Sequence, residues 1–155
     1  MISAFEASFN VSKVLVAGQA YAAVNIGDGT WVLPDDRISP LTDDDYEVQV
    51  TATNSGGTSA PATAAVTIDT TPPLIESLVM EDDTGESLSD GITSDTSPRF
   101  SWVATDAVGV SKSQWRIDGG QWQDMVHTRV TLTLGEGLHT FGLRVVDIVG
   151  NVSDP

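Results

Sequence analysis

The side chains here that could do chemistry are nearly all oxygen donors. Of 155 residues, 16 are Asp and six Glu, against seven Lys and Arg, two His and no Cys. The aspartates sit beside glycine, serine and threonine. They form Asp43-Asp44-Asp45, the isolated Asp69, the Thr105-Asp106-Ala107-Val108-Gly109 stretch and the Asp147-Ile148-Val149-Gly150-Asn151 stretch. The densest run, residues 81–96, carries Glu81, Asp82, Asp83, Glu86, Asp90 and Asp95 with no basic residue among them. Aspartate beside glycine closes turns through its own side-chain oxygen. Where several such loops converge they also make the shell of roughly six to eight oxygens that Ca²⁺ takes. Three adjacent carboxylates at 43–45 repel one another unless solvent or a shared cation separates them. Both readings stand for each cluster. The 81–96 run does not follow the EF-hand spacing, so an ion there would draw on scattered ligands.

Other chemistries find little support. Without cysteine there is no thiol nucleophile and no thiolate zinc site. His127 and His139 lie in no G-x-S-x-G or H-E-x-x-H motif. Paired carboxylates of the glycosidase kind abound by composition, but nothing in the pattern sets two of them across a cleft. The expectation is that the chain is not an enzyme. A formal charge of −15 repels nucleic acid and anionic lipid. It is spread along the chain: residues 1–71 hold nine acids and two bases, the remainder thirteen and five. No stretch approaches the roughly 20 apolar residues of a membrane span, so direct membrane insertion is not expected. The opening Met1-Ile2-Ser3-Ala4-Phe5-Glu6 has neither the basic start nor the apolar run of a signal peptide.

The elements that must position these aspartates are short strands. Val66-Thr67-Ile68-Asp69-Thr70-Thr71-Pro72-Pro73 is the key stretch. Val66 and Ile68 alternate with polar neighbours as a strand does. The two prolines then end any ladder, since neither has an N–H to donate, and Thr71 before Pro72 is held extended. The predicted organisation is a domain over 1–70, a stiff linker and a domain over 71–155. Asp69 stands at the mouth of that linker. In the first half, residues 13–17, 21–26, 30–33, 46–52 and 64–68 read as strands, with turns at Gly18-Gln19, Gly27-Asp28-Gly29 and Asn54-Ser55-Gly56-Gly57. In the second half, residues 74–80, 100–104, 115–117, 130–134 and 141–145 do so. Asp118-Gly119-Gly120 is a hairpin signal there, and Trp122 begins the return. No segment carries a helical period, so the fold class is all-β. The halves also match in outline. Leu41 to Asn54 parallels Leu134 to Asn151, with Tyr46 where His139 falls, which makes His139 an expected strand residue and suggests an internal repeat.

Several segments resemble a known family. Gly27-Asp28-Gly29-Thr30-Trp31-Val32-Leu33-Pro34, Ile68-Asp69-Thr70-Thr71-Pro72-Pro73, Asp83-Thr84-Gly85-Glu86-Ser87-Leu88-Ser89-Asp90-Gly91-Ile92-Thr93-Ser94-Asp95, Ile117-Asp118-Gly119-Gly120-Gln121-Trp122 and Val146-Asp147-Ile148-Val149-Gly150-Asn151 are similar to the bacterial Ig-like tandem repeats of large secreted RTX and biofilm-associated adhesins. The resemblance implies Ig-like β-sandwiches strung end to end, on the bacterial cell surface, with calcium stiffening the linkers. It implies that Asp69 comes near Asp106, Asp147 and Asn151, with Asp43, Asp44 or Asp45 presented to the same junction. Asp83, Asp90 and Asp95 are expected at the far end of the second domain, on an ion of their own or facing a following repeat. Two departures stand out. The first half has little sequence for its first two strands, and the second half stops at Pro155 where a last strand should begin. An open sheet edge of that kind invites self-association with another chain.

The expected function is a structural extender segment of a secreted surface adhesin, with neighbouring repeats of the same chain as partners and Ca²⁺ as its ion. The alternative is a carbohydrate-binding or other ligand-binding module using Trp31, Trp115 or Trp122 as a platform, although core packing is the commoner use of a strand tryptophan.

Overall fold

The computed structural model describes residues 10–26 and 30–155. The expected Gly27-Asp28-Gly29 turn and the residues before Asn10 that were to supply early strands lie outside the described residues. The chain divides into two compact units, Met1–Asp69 and Thr70–Pro155.

The first unit is built on one antiparallel sheet. Strand β1 (Asn10–Val16) pairs on one side with β2 (Gln19–Tyr21) and on the other with β5 (Asp44–Asn54). β5 pairs in turn with β6 (Gly57–Thr58) and β7 (Ala62–Ile68). Ala17 and Gly18 both take positive φ in the two-residue turn between β1 and β2, as the twist of a tight hairpin demands. The expected single strand over 21–26 is instead broken. Tyr21 ends β2, and β3 (Val24–Asn25) pairs separately with β4 (Trp31–Val32). The β1–β2 ladder ends at Val14↔Tyr21, although β1 itself runs back to Asn10 along β5. Val14 and Val16 are the buried apolar side chains of this unit among the described residues, and Trp31 is half-buried.

The second unit is a sandwich of two three-stranded antiparallel sheets. One has the order β12 (Arg129–Thr131), β9 (Arg99–Thr105), β8 (Leu74–Met80). The other has the order β11 (Gln123–Met125), β10 (Val110–Ile117), β13 (Phe141–Asp147). Alternation decides which side chains face inward. Trp102 from β9, Val130 from β12, Leu143 from β13 and Leu132 make the core, with Phe100, Trp115, Ile117 and Phe141 packed on it. The rings of Phe100 and Phe141 stack with centroids 4.4 Å apart. The Trp102 indole N–H donates to the buried Ser113 hydroxyl at 2.8 Å across the two sheets. The polar edge of a large ring is thereby satisfied inside the core. Asp118 and Gly119, both at positive φ, close the hairpin after β10, with Gly120 N–H donating to the Ile117 carbonyl.

Two expectations shift here. The strand predicted over 130–134 ends at Thr131, although Leu132 and Leu134 still donate to the Pro98 and Thr96 carbonyls. His139 is not in a strand. It lies before β13, with Nδ1 2.8 Å from the Asp118 carboxylate and Nε2 3.2 Å from the Gly135 carbonyl. Those side-chain bonds, with Thr140 N–H donating to the same Asp118, hold the segment off the ladder until Phe141. His127 falls in a bend between β11 and β12.

One local device recurs in both units. Ser59 N–H donates to the Ala52 carbonyl while Ala52 N–H donates to the Ser59 hydroxyl. Ser153 and Val145 make the same reciprocal pair at 2.9 Å in both directions. Each serine stands two residues before a proline, Pro61 and Pro155.

Candidate metal centre

Three loop or lead-in positions place carboxylates together. Asp106 follows β9. Its Oδ1 accepts from the N–H groups of Val108 and Gly109, both at 2.9 Å, and this fixes the Thr105-to-Gly109 turn that starts β10. Gly109 takes φ +110° there, a conformation side chains rarely adopt. Asp147 ends β13. Its Oδ1 accepts from Val149, Gly150 and Asn151 N–H at 2.9, 2.6 and 2.9 Å, and its Oδ2 accepts from the Asn151 side-chain amide at 2.8 Å. The two loops are sewn together by Ile148 N–H donating to the Gly109 carbonyl at 3.1 Å. Asn151 also reaches the Thr71 carbonyl at 3.4 Å, so the Asp147 loop holds the lead-in to β8.

Asp69 is the residue directly before that lead-in, two positions from Thr71. One carboxylate oxygen each from Asp69, Asp106 and Asp147 lies within 4.8 Å of the others. Asp69 and Asp106 are half-buried and Asp147 is only 2% exposed. Burial by itself would raise the Asp147 pKa. The hydrogen bonds from the Asn151 side chain and from the Gly150, Asn151 and Val149 backbones outweigh it, and the carboxyl is held below its ordinary value. The arrangement therefore keeps a charged carboxylate at a buried point, next to two more. Their oxygens suit a hard divalent cation, which takes carboxylate, amide and backbone oxygens alike.

Among the described residues this is the one group of three potential ligands that converges so closely. Asn151 supports it by bonding to Asp147. Asp43 and Asp45 stand at or near the start of β5. Asp45 accepts from the Thr67 hydroxyl at 2.6 Å, and Asp44 from the Asp45 N–H. Asp90 and Asp95 each close a local turn, on Ile92 and Ser97 N–H, while Asp83 is buried in the same loop.

Three of the four tryptophans are engaged otherwise, and Trp31 is half-buried on β4. Trp102 and Trp115 belong to the core of the sandwich. Trp122 lies with the guanidinium carbons of Arg116 and Arg144 at 4.3 and 4.4 Å from its ring. Sequence reading had no signal for that cation–π arrangement, because Arg116, Trp122 and Arg144 come together only through the β10–β13 pairing.

Comparison with family models matches residues 71–155 to the bacterial Ig-like domain. The chain belongs to the bacterial Ig-like domain family. The match spans the sandwich, including Asp106, Asp147 and Asn151. Domains of this family are a structural fold type and typically occur in surface and extracellular proteins. Comparison with curated proteins finds no match.

Proposed function

We propose that this chain is an extender segment of a bacterial surface adhesin: two tandem Ig-like modules joined by a proline-containing linker, with Ca²⁺ held by Asp69, Asp106 and Asp147. The observation that carries the proposal is the convergence of those three carboxylates within 4.8 Å. Without a cation they repel. Because Asp69 is joined to the linker and the other two belong to the sandwich, that repulsion is relieved by swinging Asp69 away. A divalent ion reverses the sign of the interaction and fixes the lead-in. Asn151 supports this reading, since one amide holds both Asp147 and the Thr71 carbonyl. Sites of about 10⁻⁴–10⁻³ M affinity, typical of extracellular modules, fill in millimolar calcium and empty in the cytosol. Folding would then be completed after export.

The test is small-angle scattering of the chain in chelator and then in millimolar Ca²⁺, beside Asp69→Asn and Asp106→Asn. Calcium should narrow the distribution of interatomic distances for the native chain and leave both variants unchanged. An unchanged native curve under conditions where calcium demonstrably binds would sink the extender role. The same narrowing in both variants would remove the site.

A further inference from the structure

The sheet β11–β10–β13 turns one face to the core and the other outward. Ser113, Trp115 and Ile117 of β10 and Leu143 and Val145 of β13 belong to the inner face. Alternation therefore places Gln114 and Arg116, and Gly142 and Arg144, on the outer one. The register sets Arg116 opposite Gly142 and Gln114 opposite Arg144. Trp122, just before β11, lies against both arginines, with their guanidinium carbons 4.3 and 4.4 Å from its ring. Gly142 makes room for the cluster. A Cβ there would stand 3.0 Å from Arg116 Cγ and 3.6 Å from the Trp122 ring, the first of these closer than packed carbons come.

These two arginines are exceptions in an acidic module. Residues 72–155 hold thirteen acids and five bases. Arg99, Arg129 and Lys112 form ion pairs at 3.5, 3.2 and 2.6 Å. Among the described residues Arg116 and Arg144 form none. The acid of this face, Asp124, is already taken, accepting from Gln114 at 2.5 Å and from Lys112 at 2.6 Å. Those two bonds hold its carboxyl below the ordinary value, with Arg144 adding only a longer-range attraction. Stacking on an indole uses the flat face of a guanidinium, while its N–H groups lie in the plane and stay free for an anion. Arg144 commits only its Nε–H, to Gln114 at 2.7 Å. The ring thus holds two forks in place, each matched to the paired oxygens of a carboxylate.

The surroundings select the occupant. A sheet face is not an enclosed cavity, so one small anion would be held by two side chains alone, whereas a polymer that repeats its anions gains from each further contact. Beside Trp122 the outer positions are polar, without the exposed apolar anchors that protein partners use. Nucleic acid and anionic membranes set dense charge against a chain of −15. A polysaccharide spaces its carboxylates between hydroxyl-bearing rings. We propose that Arg116 and Arg144, held by Trp122 over Gly142, form a binding site for the carboxylates of an acidic polysaccharide. The site shares no residue with the Asp69, Asp106 and Asp147 group.

The experiment titrates the full chain at about 0.15 M salt, where distant acids are screened beyond about 8 Å. The probes are fragments of hyaluronate and of polygalacturonate, each beside its uncharged methyl ester, with polyglutamate as an acidic chain of another class. The readouts are the Nε–H signals of Arg116 and Arg144 and the indole N–H of Trp122. At least one carboxylate polymer should move them saturably, and its ester should not. Arg116→Gln and Arg144→Gln should each weaken binding about tenfold or more, as loss of a charged hydrogen-bond donor does. Arg144→Lys should recover only part of that, because it restores the charge without the fork. The proposal is overturned if neither polymer moves the signals, if the esters move them equally, or if both glutamine variants bind as the native chain does. Equal binding of polyglutamate also overturns it, by making the occupant an acidic protein. Should a variant not fold, the native chain with each acid and its ester decides alone. Failure of the extender reading appears in the calcium response and leaves this titration untouched.

Discussion

Replacing chelator by calcium should raise the melting temperature of this chain, and the size of the rise can be worked out. Three carboxylates, those of Asp69, Asp106 and Asp147, converge within 4.8 Å at one point. An ion that binds the folded state only stabilises it by RT ln(1 + [Ca²⁺]/Kd). With affinities of about 10⁻⁴–10⁻³ M and about 10 mM Ca²⁺, that is about 1.4–2.7 kcal/mol per site. A domain of this size moves by about 4–8 °C per kcal/mol, so one site corresponds to roughly 6–20 °C. The assay is circular dichroism at the β-sheet band on heating, in chelator, in Ca²⁺, in Mg²⁺ and in NaCl of matched ionic strength. The NaCl arm matters because the charge is −15, and screening alone stabilises so acidic a chain. Asp147→Asn should lose most of the calcium-specific gain of its site while keeping acceptors for the loop N–H groups. A rise that Mg²⁺ or NaCl reproduces would refute the reasoning, since it would make the aspartates a solvated surface with no ordered shell.

Other consequences follow from the same geometry. Ser113→Ala leaves the Trp102 indole N–H without its partner inside the core. It should cost about 1–3 kcal/mol in urea unfolding, and a loss within error would mean that water enters there. Leu143→Ala empties part of the cluster shared with Trp102, Val130 and Leu132, for an expected loss of about 2–5 kcal/mol by the same measurement. His139 is raised above its ordinary pKa, first by its hydrogen bond to Asp118 and then by that to the Gly135 carbonyl. The stability it contributes is therefore complete below about 6.5 and is lost as pH rises through the folded value. Asp118 is lowered, chiefly by His139, and its contribution is lost in acid, as pH falls through its folded value. Titration of the His139 ring protons should show its pKa falling toward the ordinary value in Asp118→Asn, and an unmoved titration would break the pair.

Much of this was legible in the chain itself. Alternation of Tyr46, Val48 and Val50, and of Phe100, Trp102 and Ala104, marked strands because a half-buried sheet has a side-chain period of two. Asp118-Gly119 marked a hairpin because its turn needs positive φ at both positions. Residues 81–96 read as loop because nothing apolar alternates there. Asp beside glycine pointed to turns that carry carboxylates. Where sequence reading slipped, the deciding interaction was remote. His139 matches Tyr46 in pattern, yet a carboxylate 21 positions earlier holds it outside the strand.

The sequence by itself determined the all-β class, the acidic loops and the break at Asp69 to Pro73, because periodicity, charge and missing proline N–H groups act over a few residues. Only the tertiary structure decided which aspartates meet. Asp106 and Asp147 are 41 positions apart and become neighbours because β10 pairs with β13 and Ile148 reaches Gly109. Asp83 and Asp90 look alike in sequence. The fold buries one with an oxygen bare and leaves the other closing a surface turn, because burial is set by what packs over a residue and not by its neighbours in the chain.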